Sequence, residues 1–301
     1  DAAGARVNGP VSWQVLDAGP LVATVRFEAE APGCRRLVRE VRVIDGLDRI
    51  ELVNHVDRLA VREKDSVHFG FGFDVPGGTV RMETPWAVVR PNADQLPGAC
   101  RNWFTVQRWV DVSNGERGIT LAPLDAPLLQ VGGITANLLG PVAREEWLPE
   151  AIESTTLYSW AQNNHWFTNY KADQPGVTTF RYNLQPRQGE YRAMAAARFG
   201  IETARALIAV PADPASAVPE ALLAVDSPDV LVETVKVSED GKALVLRLFG
   251  VSGRTTGVRI DWKGVRPAAV SLTDLREQVL GRCDGKVEVP AYGVAMVRAE
   301  F

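Results

Sequence analysis

Leu21, Ala23, Val25, Phe27 and Ala29 alternate with Val22, Thr24, Arg26, Glu28 and Glu30. A period of two sends successive side chains to opposite faces of a strand, so this segment is a half-buried β-strand. The same alternation returns in Arg36 to Ile44, Arg49 to Asp57, Val232 to Val237, Ala243 to Phe249, Gly257 to Trp262 and Tyr292 to Arg298. Asp45-Gly-Leu-Asp48 and Glu239-Asp-Gly-Lys242 read as hairpin turns between such segments. Only Gly189 to Ala206 reads as helix, from the good helix formers in Glu190 to Arg198, with Gly200 expected to end or interrupt it. Many short strands with turn signals and almost no helix specify an all-β sandwich.

The break in the pattern is Val210 to Pro219, rich in Pro and Ala and without period, which reads as a linker or surface crossover. The 301 residues therefore divide into an expected large β-sandwich over 1–212 and a smaller one over 213–301. Between the strands, residues 81 to 102 read as loop, Trp103 to Val112 as one strand, and residues 123 to 156 as short strands and loops. His68-Phe-Gly-Phe-Gly-Phe-Asp74 puts three phenylalanines on one face and Gly70 and Gly72 on the other. A glycine face suits close packing under another layer or the approach of a ligand.

Composition narrows the partners. A net charge of -4 with no basic block argues against nucleic acid and anionic membranes. No run of 18 apolar residues is present, so no membrane-spanning helix is expected. The first residues lack the regions of a signal peptide. Cys34, Cys100 and Cys283 are far apart and form no CxxC, which reads as free thiols in a reducing compartment and so as a cytoplasmic location. The histidines are His55, His68 and His165, none close to another in sequence, so no metal site is expected. His55 sits within a strand and reads as structural.

The most informative stretch is Tyr158-Ser-Trp-Ala-Gln-Asn-Asn-His-Trp-Phe-Thr-Asn-Tyr-Lys-Ala-Asp-Gln174. Strand alternation fits only its ends, Leu157 to Trp160 and then Thr178 to Leu184, so the middle reads as a long loop. Aromatic rings among planar amides offer stacking faces and paired donors and acceptors, which suits a polar ring such as a sugar. The other reading is that they pack and hydrogen-bond the loop onto the domain. The candidate carbohydrate-binding residues are Trp160, Asn163, Asn164, His165, Trp166, Asn169, Tyr170 and Asp173.

This stretch resembles the C-terminal β region of bacterial enzymes of glycoside hydrolase family 38, the α-mannosidases. So do Pro91 to Gly98, Trp109 to Asn114, Gly118 to Ala122, Leu124 to Leu128, Phe180 to Pro186 and Ala197 to Glu202, in the same order and spacing. The resemblance spans roughly residues 10 to 212, and residues 213 to 301 resemble the small β module that closes such chains. It implies a galactose-mutarotase-like supersandwich followed by a smaller β-sandwich. In the family, an N-terminal domain supplies the nucleophile, the acid/base and the zinc ligands, and nothing in this sequence resembles it. The resemblance thus implies a non-catalytic portion of a bacterial-type hydrolase: partnered by the catalytic domain and an α-mannoside-type carbohydrate, without catalytic residues or cofactor of its own, and inactive alone. Animal members carry an Arg-Arg-Leu signature where this chain reads Leu128-Leu-Gln-Val-Gly-Gly133, so the family's arginine contact does not carry over. Asp94, Asp111, Asp125 and Asp173 lie in the resembling blocks, but none sits in an acid/base motif. A free-standing carbohydrate-binding or scaffolding module is the alternative. An aldose mutarotase-like enzyme would need an acid and a base, for which only His68 and His165 stand as histidines.

Overall fold

A computed structural model describes residues 5–135, 147–164, 171–211, 221–264, 266–283 and 285–301. The chain is all-β apart from one helix and separates into two compact units, Asp1–Tyr191 with Phe199–Ala204, and Arg192–Arg198 with Arg205–Phe301.

The large unit holds thirteen described strands: β1 (Val11–Ala18), β2 (Val22–Ala29), β3 (Cys34–Ile44), β4 (Ile50–Arg58), β5 (Ser66–Gly72), β6 (Thr79–Thr84), β7 (Ala87–Val89), β8 (Phe104–Thr105), β9 (Val110–Ser113), β10 (Arg117–Pro123), β11 (Leu128–Val131), β12 (Thr156–Asn163) and β13 (Gly176–Gln188). A nine-stranded sheet runs β1-β2-β3-β4-β13-β10-β9-β6-β7, and a four-stranded sheet runs β5-β12-β11-β8. All their pairings are antiparallel, which lets short turns join neighbours. The core lies between them. Phe69, Phe71, Leu129 and Leu157 from the small sheet meet Val56, Val110, Leu121, Phe180 and Tyr182 from the large one. Tyr182 is the polar pin of that core. Its hydroxyl shares a 2.8 Å hydrogen bond with Ser159 Oγ, Phe69 and Phe71 present edges to its ring, and burial pushes its phenol well above the ordinary range.

Several local expectations change. Residues 81 to 102 are not all loop, because β6 and β7 form a hairpin through Pro85 and Trp86, with Trp86 at φ 61°. Pro at the first turn position supplies the fixed φ, and the second position demands a positive one, here taken by a bulky residue at a cost. Trp103 to Val112 is two short strands in different sheets, β8 and β9, although Phe104, Val106, Val110 and Val112 are all buried as the alternation requires. The helix α1 (Ala193–Ala204) runs through Gly200 without a break. A Cβ there would stand 2.6 Å from Trp109 Cδ1, so this glycine makes room for a buried indole instead of ending the helix.

In the small unit follow β14 (Leu223–Val225), β15 (Val230–Val237), β16 (Ala243–Gly250), β17 (Thr256–Val258), β18 (Ile260–Trp262), β19 (Ala269–Thr273), β20 (Val279–Arg282), β21 (Val287–Val289) and β22 (Val294–Glu300). A five-stranded sheet, β15-β16-β22-β19-β20, and two pairs, β14-β18 and β17-β21, enclose a second core of Val230, Leu246, Leu248, Val258, Val287, Val289 and Val297. Most of the proline-rich segment 210–219 lies outside the described residues.

Candidate functional site

The stretch read as a long loop begins as a strand. β12 continues through Ala161, Gln162 and Asn163 and pairs with Val67 and Ser66 of β5. Sequence period misses this because the pairing slips between Trp160 and Gln162, a bulge that shifts the inward and outward positions. Leu157 and Ser159 point into the core, whereas Tyr158 and Trp160 stand opposite Gly70 and His68 on the other face. There the glycines have a use. The Tyr158 ring lies 3.3 Å from where a Cβ of Gly70 would be, a cross-strand aromatic laid on bare backbone. Gly70 and Gly72 are exposed, so this face is not packed under a further layer at those positions.

Trp160 is 6% exposed. The His68 imidazole stacks on it at 5.9 Å between centroids with planes 11° apart, and Trp103 meets it edge-on at 6.2 Å. His68 and Trp103 are half-buried and form the accessible part of the cluster. Sequence reading placed neither with Trp160, because the contact depends on the register of β5 against β12.

Asn164 is buried at 4% exposure. Its Nδ2 donates to the Val61 carbonyl at 2.9 Å and its backbone N–H to the Asp65 carbonyl at 2.8 Å, so this amide anchors the 59–65 loop. The same loop is tied by Arg58, 4% exposed, to Asp65 at 2.7 Å, and by Arg62 to Asp173 at 3.5 Å. Asn163 stands opposite Ser66 at the strand end and is half-buried. The structure therefore brings Trp160, Asn163, Asn164 and Asp173 to one end of β5 and β12. His165, Trp166, Asn169 and Tyr170 lie outside the described residues.

Each aspartate in the resembling blocks faces an arginine. Asp94 pairs with Arg90 at 2.9 Å, Asp111 with Arg187 at 2.6 Å, Asp125 with Arg181 at 2.8 Å and Asp173 with Arg62. Hydrogen bonds from Arg90 and Arg181 hold the Asp94 and Asp125 carboxyls below the usual carboxylate range. Carboxylates so held are poor proton donors near neutral pH. His55 donates to or accepts from Thr179 Oγ1 at 2.9 Å within the sheet. Among the described residues, no three His, Cys, Asp or Glu side chains gather as a group that could hold a metal ion. The cysteines are free and half-buried, and no described helix is long and apolar enough to cross a membrane.

The comparisons agree with this architecture. The family model for the glycosyl hydrolases family 38 C-terminal beta sandwich domain matches residues 229–294. Comparison with curated proteins finds no match. An alpha-mannosidase from Enterococcus faecalis V583 superposes with a TM-score of 0.72 at 12% identity, covering 96% of this chain and 35% of that one. A protein in the glycosyl hydrolase family 38, also from Enterococcus faecalis, gives 0.68 at 13% identity, covering 96% and 36%. At such identities the likeness is one of fold, and this chain spans about a third of either structure's length. By family model in its small unit and by fold over nearly its whole length, the chain resembles the C-terminal β region of glycoside hydrolase family 38 enzymes.

Proposed function

We propose that this chain is the non-catalytic C-terminal β portion of an α-mannosidase-like glycoside hydrolase. In this reading it packs on the catalytic domain and lends the outer face of β5 and β12 to the wall of the sugar pocket. The observation that carries it is coverage: the fold match takes in 96% of this chain but only 35% of the alpha-mannosidase. Support for the sugar-facing part comes from the accessible edge of the aromatic cluster, His68 and Trp103 over Trp160, beside Asn163. Half-buried rings next to amides suit the faces and hydroxyls of a pyranose.

The test is a full-length enzyme carrying Trp103→Ala or Asn163→Ala, assayed on an aryl α-mannoside beside a denaturation curve. Raised KM or lowered kcat in the folded fraction is the expected result. Unchanged kinetics with lost stability would make the stretch structural. A parent protein without any hydrolase portion would turn the chain into a free-standing carbohydrate-binding module.

A further inference from the structure

In the large unit a nine-stranded sheet faces a four-stranded one. The four-stranded sheet ends at β5, whose Phe69 ring takes the Arg39 guanidinium at 5.7 Å. Beyond β5 the four-stranded sheet has no further strand among the described residues of the large unit, whereas the nine-stranded sheet runs on through β3 and β2 to β1. Trp13, Phe27, Arg39, Asn54 and Phe180 stand directly opposite one another across β1, β2, β3, β4 and β13, and so share one face. At one end of this row Phe180 is core at 4% exposure, and at the other Trp13 is 68% exposed. Val11, Val15 and Val43, on the same face, are also exposed. A cavity of about 500 Å³ opens over it, lined by Phe27, Leu37, Val41, Leu52 and Phe71 around Arg39. A continuous apolar surface of this kind marks an interaction site.

The charge in its middle is prepared. Arg39 Nε donates to Asn54 Oδ1 at 2.8 Å, and Asn54 Nδ2 donates to the Phe180 carbonyl at 3.0 Å, which fixes the head group. Three other arginines of β3 and β4 have carboxylates: Arg36 has Glu28, Arg42 has Glu51 and Arg58 has Asp65. Arg39 makes no ion pair among the described residues. Its apolar surroundings push its pKa down, the mark of a guanidinium set among hydrocarbon without a counter-charge.

We propose that the uncovered face of β1 to β3 seats an acidic segment flanked by apolar side chains, belonging to the catalytic portion of the parent enzyme, with its carboxylate taken by Arg39. This rests on the function proposed above and names the surface through which the packing occurs. Charge complementarity selects the occupant. About two thirds of the length of the matching structures lies outside the region this chain covers, which leaves ample chain to supply it. A second copy of this chain fits less well, because a two-fold contact through this face turns one Arg39 toward another.

Hydroxyl-radical footprinting of the full-length enzyme, native and urea-unfolded, reads Trp13 directly. Trp13 is expected to be strongly protected in the native enzyme, to lose that protection in Arg39→Glu, and to keep it in Arg39→Lys. Native reactivity equal to the unfolded value overturns the proposal, as does protection that survives Arg39→Glu or that grows with protein concentration, the sign of self-association. Protected residues elsewhere, with Trp13 reactive, would remove this surface and leave packing on a catalytic domain standing. Protection of Trp13 that depends on Arg39 in a parent protein inactive on α-mannosides would support the surface and remove the assigned activity instead.

Discussion

The His68 imidazole lies parallel to the Trp160 indole, 5.9 Å between centroids and 11° between planes, across the β5–β12 pair. One ring is half-buried and the other is 6% exposed, so on the outer face of the small sheet the imidazole helps cover the indole. Stacking of this kind adds about 0.5–1.5 kcal/mol beyond area burial. His68→Ala should lower stability by about that amount in chemical denaturation, whereas Trp160→Ala, which opens a cavity, should cost about 3–5 kcal/mol. Equal losses for the two variants would contradict this division of roles.

Asn164→Ala removes the donor to the partly buried Val61 carbonyl. A buried carbonyl left unpaired costs about 1–3 kcal/mol, and that loss should appear in stability. Because Asn164 is buried and Asn163 only half-buried, KM of the full-length enzyme should move less for Asn164→Ala than for Asn163→Ala. Michaelis parameters measured on the folded fraction decide the point.

Asp111 is fully buried and accepts hydrogen bonds from Arg187 Nη1 and Nη2 at 2.6 and 2.9 Å, Ser113 Oγ at 2.6 Å and Thr120 Oγ1 at 2.8 Å. Asp111→Ala leaves a nearly buried guanidinium without its charge partner and should cost about 3–5 kcal/mol. The double variant Asp111→Leu with Arg187→Met should recover part of this, since it removes both desolvated charges. A double-mutant cycle by urea denaturation measures it; strict additivity would refute the coupling.

Asp94 and Asp125 carry carboxyls held low chiefly by hydrogen bonds from Arg90 and Arg181. A folded pKa below the unfolded value means that the unfolded state binds protons first as pH falls. Their contribution is thus fully present above the ordinary carboxylate pKa of about 3.9 and is lost as pH falls through the lowered folded values. Stability of Asp94→Asn with Asp125→Asn should fall less steeply below about pH 4 than that of the parent chain. Parallel acid limbs in denaturation curves would count against the assignment.

Gly200→Ala sets two effects against each other. Alanine in a helix interior gains about 1 kcal/mol over glycine. Its methyl would stand 2.6 Å from Trp109 Cδ1 and 3.1 Å from Arg108 Cβ, and Trp109, at 1% exposure, would have to shift within a packed interior. Overpacking of this kind costs about 1–3 kcal/mol, so the variant should be less stable by thermal melting.

Alternation in Leu21 to Glu30, Arg36 to Ile44 and Ala243 to Phe249 determined the all-β class, because a period of two buries one face only in a strand. The turns at Asp45 to Asp48 and Glu239 to Lys242 were legible for the same reason: their residues take the backbone angles that hairpins need. What the sequence could not determine was register and which sheet each strand joins. The bulge after Trp160 carried the strand to Asn163 and broke the period that would have announced it. Only the pairing of β5 with β12 set His68 on Trp160 and Tyr158 on Gly70. Cross-strand partners are distant in sequence, so their meeting is fixed by hydrogen-bond register and core packing. The same holds for Arg39 and Trp13, ordinary members of two strand patterns. They share one exposed face because nine strands are set against four.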